Sequence, residues 1–189
     1  TWSYKWNTGD IIRTLDAGGY TIYAVSKPVL TNELSGAKYA TVAVQLRPPS
    51  LTARTSGTTL TRGEDYRISG TATGADCVQV WLFGKNYYKL GVPVLVESDG
   101  SFEYVLAGAE TSNLAKGQYY IVVQHPMREG FGVYSDPGTG YLTGPGIPPV
   151  NLRALQASDA ATALINALDS PNVDDAYIKF SFSVDVSRI

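Results

Sequence analysis

Tyr177-Ile178-Lys179-Phe180-Ser181-Phe182-Ser183-Val184-Asp185-Val186 alternates its side chains by character along the whole run. An extended backbone points successive side chains to opposite faces. Ile178, Phe180, Phe182, Val184 and Val186 therefore fall on one face, and Tyr177, Lys179, Ser181, Ser183 and Asp185 on the other. The pattern is that of a strand with one buried face. Ala40, Val42, Val44 and Leu46 against Tyr39, Thr41, Ala43 and Gln45 repeat it. Further strands are expected at Tyr20–Val25, Ser50–Arg54, Asp65–Ala72, Cys77–Phe83, Pro93–Glu97, Ser101–Leu106, Gln118–Gln124 and Val150–Leu155. Turn signals such as Arg62-Gly63 and Asp99-Gly100 separate them, which is the rhythm of an all-β sandwich.

Composition agrees with that reading. The 189 residues include 13 Tyr, 19 Gly and 10 Pro but one Met, and 44% are hydrophobic against 17% charged, for a formal charge of −2. Such a chain can bury a core and is not a disordered tail. Without a basic excess it has little to neutralise a phosphate backbone, so nucleic acid is not an expected partner. Its longest apolar runs, Tyr119–Val123 and Ala160–Leu168, fall far short of the roughly 20 residues of a membrane helix. Its start at Thr1 and its end in a strand-like run suggest an excised piece of a longer chain. Cys77 is the single cysteine and can form no internal disulfide.

One segment has helical character. In Ser158–Leu168 the apolar residues Leu164, Ile165 and Leu168 share a side, Ser158 suits the N-cap, Asp159 favours the first turn and Pro171 stops the helix, which is expected over 159–168. A helix this short is expected to cap the sandwich or plug its open end.

An internal repeat organises the chain. Leu15, Gly18, Tyr20 and Ile22 recur as Leu114, Gly117, Tyr119 and Ile121, each 99 residues later. That spacing is one sandwich domain. In each copy a Tyr-rich strand is followed by a proline (Pro28, Pro126), a connector and a final alternating strand. Residues 1–47 are therefore expected to be the last strands of one immunoglobulin-like sandwich, and 48–189 a complete second one, with Pro48-Pro49 as a stiff joint. The fold class expected is all-β, in tandem modules. The second connector is longer and carries a Gly/Pro-rich irregular loop, 127–149, besides the helix; long insertions of this kind are often interaction loops.

Residues able to carry chemistry are few. His125 is the only histidine, so a Cys77–His125 pair or a serine triad would have to use it, yet no glycine-flanked nucleophile elbow occurs; a structural imidazole at a strand end is the competing reading. Cys77 reads as a small hydrophobe on an apolar strand. Glu97, Asp99 and Glu103 flank one hairpin, where paired carboxylates can cleave glycosides, but Asp99-Gly100 is explained by a tight turn in which both residues tolerate positive φ. Asn172, Asp174 and Asp175 form the best local calcium cluster, but without the spacing of an EF-hand, and a helix-to-strand turn of turn-favouring residues is the preferred reading. The glycines sit singly at turns, so no phosphate-cradling loop or dinucleotide fingerprint is present. No catalytic residue, metal ligand or cofactor is expected.

Aromatic side chains remain. Trp2, Tyr4, Trp6, Trp81, Tyr87 and Tyr88 can stack on sugars or on a neighbouring subunit. In the strand from Cys77, Val78, Val80 and Leu82 alternate with Gln79, Trp81 and Phe83, so one or both faces are core, and Trp81 fits the buried Trp of many sandwiches. Tyr87 and Tyr88, after Gly84-Lys85-Asn86, are expected at the surface. With Met127, Tyr134 and Tyr141 they make up the expected interaction surface.

Several motifs then act together: Trp81-Leu82-Phe83-Gly84-Lys85-Asn86-Tyr87-Tyr88, Asp99–Tyr104, Glu110–Leu114, Gly117–Met127, Gln156–Ile165 and Val173-Asp174-Asp175. In this order they resemble a family of multidomain surface-layer glycoproteins of methanogenic archaea, over nearly all of Pro48–Ile189. Residues 1–47, with Trp6-Asn7-Thr8-Gly9, resemble the end of the preceding domain in the same proteins. The resemblance implies export to the cell surface, no enzymatic role, a membrane anchor beyond Ile189, and partners that are other copies of the protein in an envelope lattice, with envelope glycans as further candidates. A carbohydrate-binding or adhesion module is the alternative. One departure is plain: none of Asn7, Asn32, Asn86, Asn113, Asn151, Asn166 and Asn172 begins an N-glycosylation sequon.

Overall fold

In the computed structural model the described residues are 3–4, 15–27 and 30–185. Trp2, Trp6–Gly9, Pro28 and Val186, singled out above, lie outside them. The chain divides into two compact units at Pro48/Pro49. Among the described residues the protein is all-β in plan, with strands far outnumbering helical residues.

The first unit contains β1 (Gly18–Val25), a 3-10 turn (Thr31–Gly36) and β2 (Tyr39–Leu46). The strands pair antiparallel, from Gly18 opposite Leu46 to Val25 opposite Tyr39.

The second unit is a sandwich. One sheet holds β3 (Ser50–Thr55), β5 (Tyr66–Thr73) and β8 (Ser101–Leu106). The other runs in the order β4 (Thr59–Thr61), β13 (Ala176–Asp185), β9 (Gly117–His125), β6 (Cys77–Gly84) and β7 (Tyr87–Leu95). All its pairings are antiparallel except β4 with β13, which is parallel. Between the sheets lie Ile68, Phe102 and Leu106 from the smaller, and Val78, Val80, Leu82, Ile121, Val123, Phe182 and Val184 from the larger. The alternation read for the last strand holds: Phe182 and Val184 are buried, while Lys179, Ser181 and Asp185 are exposed.

The larger sheet is covered on its outer face as well. A second core joins Trp81, Phe83 and Val122 to Ala160, Ala161, Leu164, Ala167 and Leu168 of α2 (Ala157–Leu168). A small sheet of β10 (Tyr134–Ser135), β11 (Tyr141–Thr143) and β12 (Val150–Asn151) adds Leu142 to that core. Both faces of β6 are thus core, one built on Val78, Val80 and Leu82 and the other on Trp81 and Phe83.

Several expectations are corrected by this layering. The helix neither caps nor plugs the sandwich; it packs on β6 and β9 because Trp81, Phe83 and Val122 give those strands an outward apolar face as well. It starts two residues before 159, and Gln156, not Ser158, stands at the N-cap, with no side-chain cap bond; the Ser158 hydroxyl turns to Asp159 instead. The segment 127–149 is not wholly irregular. Asp136 Oδ1 accepts from the amides of Gly138 and Thr139, which closes a turn between β10 and β11. Val150–Leu155 is a strand for two residues only and then a 3-10 turn, Leu152–Ala154. Tyr87 and Tyr88 lie in a strand that the sequence reading does not place there. They open β7, which absorbs the strand expected from Pro93. At the hairpin expected around Asp99-Gly100, only Gly100 takes a left-handed φ, +86°.

The register of β6 against β7 slips opposite Trp81, where β7 carries the extra residue of a bulge at Leu90-Gly91. Gly91 adopts φ +62°, and a Cβ there would lie 3.3 Å from the Trp81 indole. The bulge therefore makes room for the ring. Pro93 further along is tolerated because β7 is an edge strand.

The two Gly-Tyr segments are alike in detail. Adding 99 to each β1 position and 138 to each β2 position reproduces the β9–β13 register: Gly18–Leu46 becomes Gly117–Val184, and Val25–Tyr39 becomes Gln124–Tyr177. Tyr20 Oη donates to the Asp16 carbonyl at 2.7 Å, and Tyr119 Oη to the Ala115 carbonyl at 3.0 Å, both four residues back.

Candidate functional site

Two places gather polar or aromatic side chains in the second unit. The first is interior. At the end of β9 sit Gln124 and His125, both with no exposed surface, and Asp175, 7% exposed, precedes β13. Trp81 Nε1 donates to Gln124 Oε1 at 2.7 Å. Gln124 Nε2 donates to the Val133 carbonyl at 2.8 Å and to Asp175 Oδ2 at 2.7 Å. Asp175 further accepts from the amides of Gly132 and Val133. Burial raises the Asp175 pKa above the usual carboxylate value, and these donors offset only part of that cost. The network ties the segment after β9 back to the larger sheet.

His125 belongs to the same end of the sheet. The Met127 amide donates to Nδ1 at 2.9 Å, so Nε2 carries the proton and donates to the Thr73 carbonyl at 3.1 Å. Burial holds its pKa below the ordinary imidazole value, against the opposing effects of the Thr73 bond and the Asp175 charge. A neutral imidazole with both nitrogens engaged has no lone pair left for the half-buried Cys77 thiol or for a serine. Its role here is to pin a strand end to the neighbouring sheet.

Several of the other acids are engaged in bonds of their own. Asp99 Oδ1 accepts from the amide and hydroxyl of Ser101 within the hairpin turn. Glu103 and Asp65 each lie 3.2 Å from Arg67 on the exposed side of the smaller sheet. Asp174 accepts from the Arg128 amide. Among the described residues no three or more His, Cys, Asp or Glu side chains are grouped to hold a metal ion.

The second place is a groove of about 830 Å³ between the β6–β7 turn and the start of α2, whose lining includes Asn86, Tyr88, Gln118, Tyr120, Arg153 and Gln156. The Arg153 guanidinium lies 5.0 Å above the Tyr88 ring and donates to the carbonyls of Pro137 and Gly138. One face of Tyr88 is therefore covered, while the residue as a whole stays exposed.

The expected surface residues divide. Tyr88, Tyr134 and Tyr141 are 44%, 50% and 43% exposed. Tyr134 opposes Thr143, and Tyr141 and Thr143 share a face, so both tyrosines stand on the outer side of the small sheet. Arg153 links Tyr88 to the tip of that hairpin. Tyr87 is different: half-buried, it packs on the sandwich core and donates its hydroxyl to Glu110, which also pairs with Lys89 at 2.6 Å. Met127 is half-buried at φ +48°, held by its amide bond to His125. Trp81 is fully buried. Sequence reasoning missed Arg153 and Tyr120, because what brings them to one groove is the packing of the second connector on the sheet, which carries no short-range signal.

Among the described residues no helix is long and apolar enough to cross a membrane. Comparison with known protein-family models and with curated proteins finds no match for the chain.

Proposed function

We propose that the chain is a non-catalytic structural piece of a cell-surface protein of the surface-layer kind, built from tandem immunoglobulin-like sandwiches that assemble into an envelope lattice. The observation that carries this reading is the pair of hairpins with one register and one tyrosine bond, which is how repeated modules of a single design behave. A tyrosine near the start of a strand that bonds a carbonyl a few residues upstream is a hallmark of immunoglobulin-like sandwiches.

Further support comes from the interior. Its buried polar side chains Gln124, His125 and Asp175 are consumed by bonds that hold the fold, which suits a mechanical role. The motif resemblance adds the cell-surface setting. In this reading the outward tyrosines 88, 134 and 141, with Arg153, supply contacts to neighbouring copies, since Tyr and Arg are the residue types enriched in interface cores. Each contact is weak and the lattice gains from many. Electron microscopy of envelopes labelled with an antibody against this segment is the test: label on a regular surface array is expected, and its absence from any array overturns the reading.

A second reading, a glycan-binding or adhesion module, is favoured by the groove that places Tyr88 and Tyr120 beside Asn86, Gln118 and Gln156. The burial of Trp81 and Tyr87 weakens it, since no continuous aromatic row is left.

A further inference from the structure

The two ends of β7 carry opposite charge. At its start, the groove between the β6–β7 turn and α2 holds Lys85, Lys116 and Arg153, and no described Asp or Glu lines it, although acids outnumber Lys and Arg in the chain by 17 to 15. Lys85 makes no ion pair among the described residues, and Lys116 pairs only with Asp185, 3.0 Å away on the surface. Arg153 donates to main-chain carbonyls, and the one carboxylate its charge acts on, Asp136, lies outside the groove lining.

At the far end of β7 the turn that crosses to β8 carries Glu97 and Asp99. The Val96 amide donates to the Asp76 carbonyl at 2.9 Å, which brings Asp76 to the same corner. All three acids are exposed, and none makes an ion pair among the described residues. Arg54, which lines a depression with Glu97, donates to the Ser69 hydroxyl instead. Scattered surface charge needs no partner. Here, however, the charges are segregated by sign, and each patch holds an exposed apolar side chain as well: Leu95, 77% exposed, beside the acids, and Leu155 with Tyr88 in the groove. Complementary charge around apolar contacts is the make-up of a protein–protein interface.

We propose that copies of this chain bind head to tail, the Glu97–Asp99 turn of one copy, with Asp76 and Leu95, seating in the Lys85–Lys116 groove of the next. The nine residues of β7 hold the two patches roughly 26 Å apart, so one copy cannot join its own. A joined pair keeps one free patch at each end, and copies add in a row. The inference rests on the lattice reading of the proposed function, and supplies one direction of such an array.

The first test uses the unsubstituted chain at millimolar concentration. Carbodiimide joins a carboxylate to an amine in direct contact, and mass spectrometry reads the joined peptides. Links from Lys85 or Lys116 to Asp76, Glu97 or Asp99 are expected, and the length of β7 makes each a link between copies. Sedimentation equilibrium should show the mass rising past the dimer, with association at least about tenfold weaker in 0.5 M than in 0.1 M salt. Lys85→Glu with Lys116→Glu, and separately Asp76→Lys with Glu97→Lys, should each weaken it on the order of a hundredfold, because attraction becomes repulsion. Mixing the two folded variants should restore it, since the acidic groove of one then fits the basic turn of the other. If a variant does not fold, the links and the salt dependence decide. Absence of these links, indifference to salt, a mass that stops at the dimer, or a mixture of folded variants no better than its components overturns the inference. Association through other residues would leave the lattice reading standing, to be decided on labelled envelopes.

Discussion

Trp81 donates its indole N–H to Gln124 Oε1 across 2.7 Å where neither side chain meets solvent. The bond joins neighbouring strands β6 and β9 on the face that the helix covers. From Gln124 the network continues through Asp175 to the amides of Gly132 and Val133. A sheet face that would otherwise be a plain hydrophobic surface thus gains a fixed orientation for the connector laid over it, because a partly satisfied buried network costs more than none.

Gln124→Ala strands the Trp81 N–H and the Val133 carbonyl at once and leaves Asp175 Oδ2 with only the Gly132 and Val133 amides. Each buried group left without a partner costs about 1–3 kcal/mol, so the variant should lose roughly 3 kcal/mol or more after partial relaxation. Urea unfolding followed by tryptophan fluorescence measures it. A loss below about 1 kcal/mol would mean that water replaces the amide freely and that the network does not hold the connector.

His125 supplies a pH dependence with a definite sign. Its folded pKa lies below the ordinary value of 6.5 because burial disfavours the imidazolium. Below pH 6.5 the unfolded chain therefore binds more protons than the folded one, and stability falls as pH falls towards the folded pKa. Unfolding free energy should be lower at pH 5.5 than at pH 7.5. His125→Gln removes the titration and should flatten that slope. An unchanged slope in the variant would assign the dependence to other groups.

The tyrosine bonds can be removed one unit at a time. Tyr119→Phe leaves the ring stacked on Phe182 and deletes only the donor to the Ala115 carbonyl, so it should cost about 1 kcal/mol. Tyr20→Phe removes the matching donor to Asp16 and should be read as faster hydrogen exchange in 18–25, with 117–125 unaffected. Exchange that rises in both peptides would mean that the two tyrosines do not act on separate units.

How much of this was legible in the sequence follows from the range of each signal. Alternation placed β2, β6, β8, β9 and β13, because period-2 burial is written residue by residue. The repeat was legible for a related reason: Gly18 and Gly117, Tyr20 and Tyr119 do the same local work in the same turn. The helix is legible from its periodicity and its stop before Pro171, but neither its N-cap nor its location is, since nothing local says that the outward face of β6 needs a cover. β7 was misread because its bulge interrupts the alternation between Tyr88 and Pro93. Asp175 reads in sequence only as a turn residue or a member of a calcium cluster. Its partners Gln124, Gly132 and Val133 are distant in the chain, and hydrogen bonding across such a separation leaves no pattern in sequence.

Gly91 separates backbone strain from packing at that bulge. Its φ of +62° is a conformation that costs an L-residue about 1 kcal/mol, and a Cβ would also approach Trp81 and Gln79 at 3.3 and 3.0 Å. Gly130 shares the left-handed φ, at +85°, but a Cβ there meets nothing within 4 Å. Gly130→Ala should therefore show the backbone cost alone, about 1 kcal/mol. Gly91→Ala should add an overpacking cost of about 1–3 kcal/mol and alter the near-ultraviolet dichroism of the buried indole. Equal losses in the two variants, with the indole signal unchanged, would show that β7 shifts away from Trp81 without resistance, and the bulge would then not be what seats the ring.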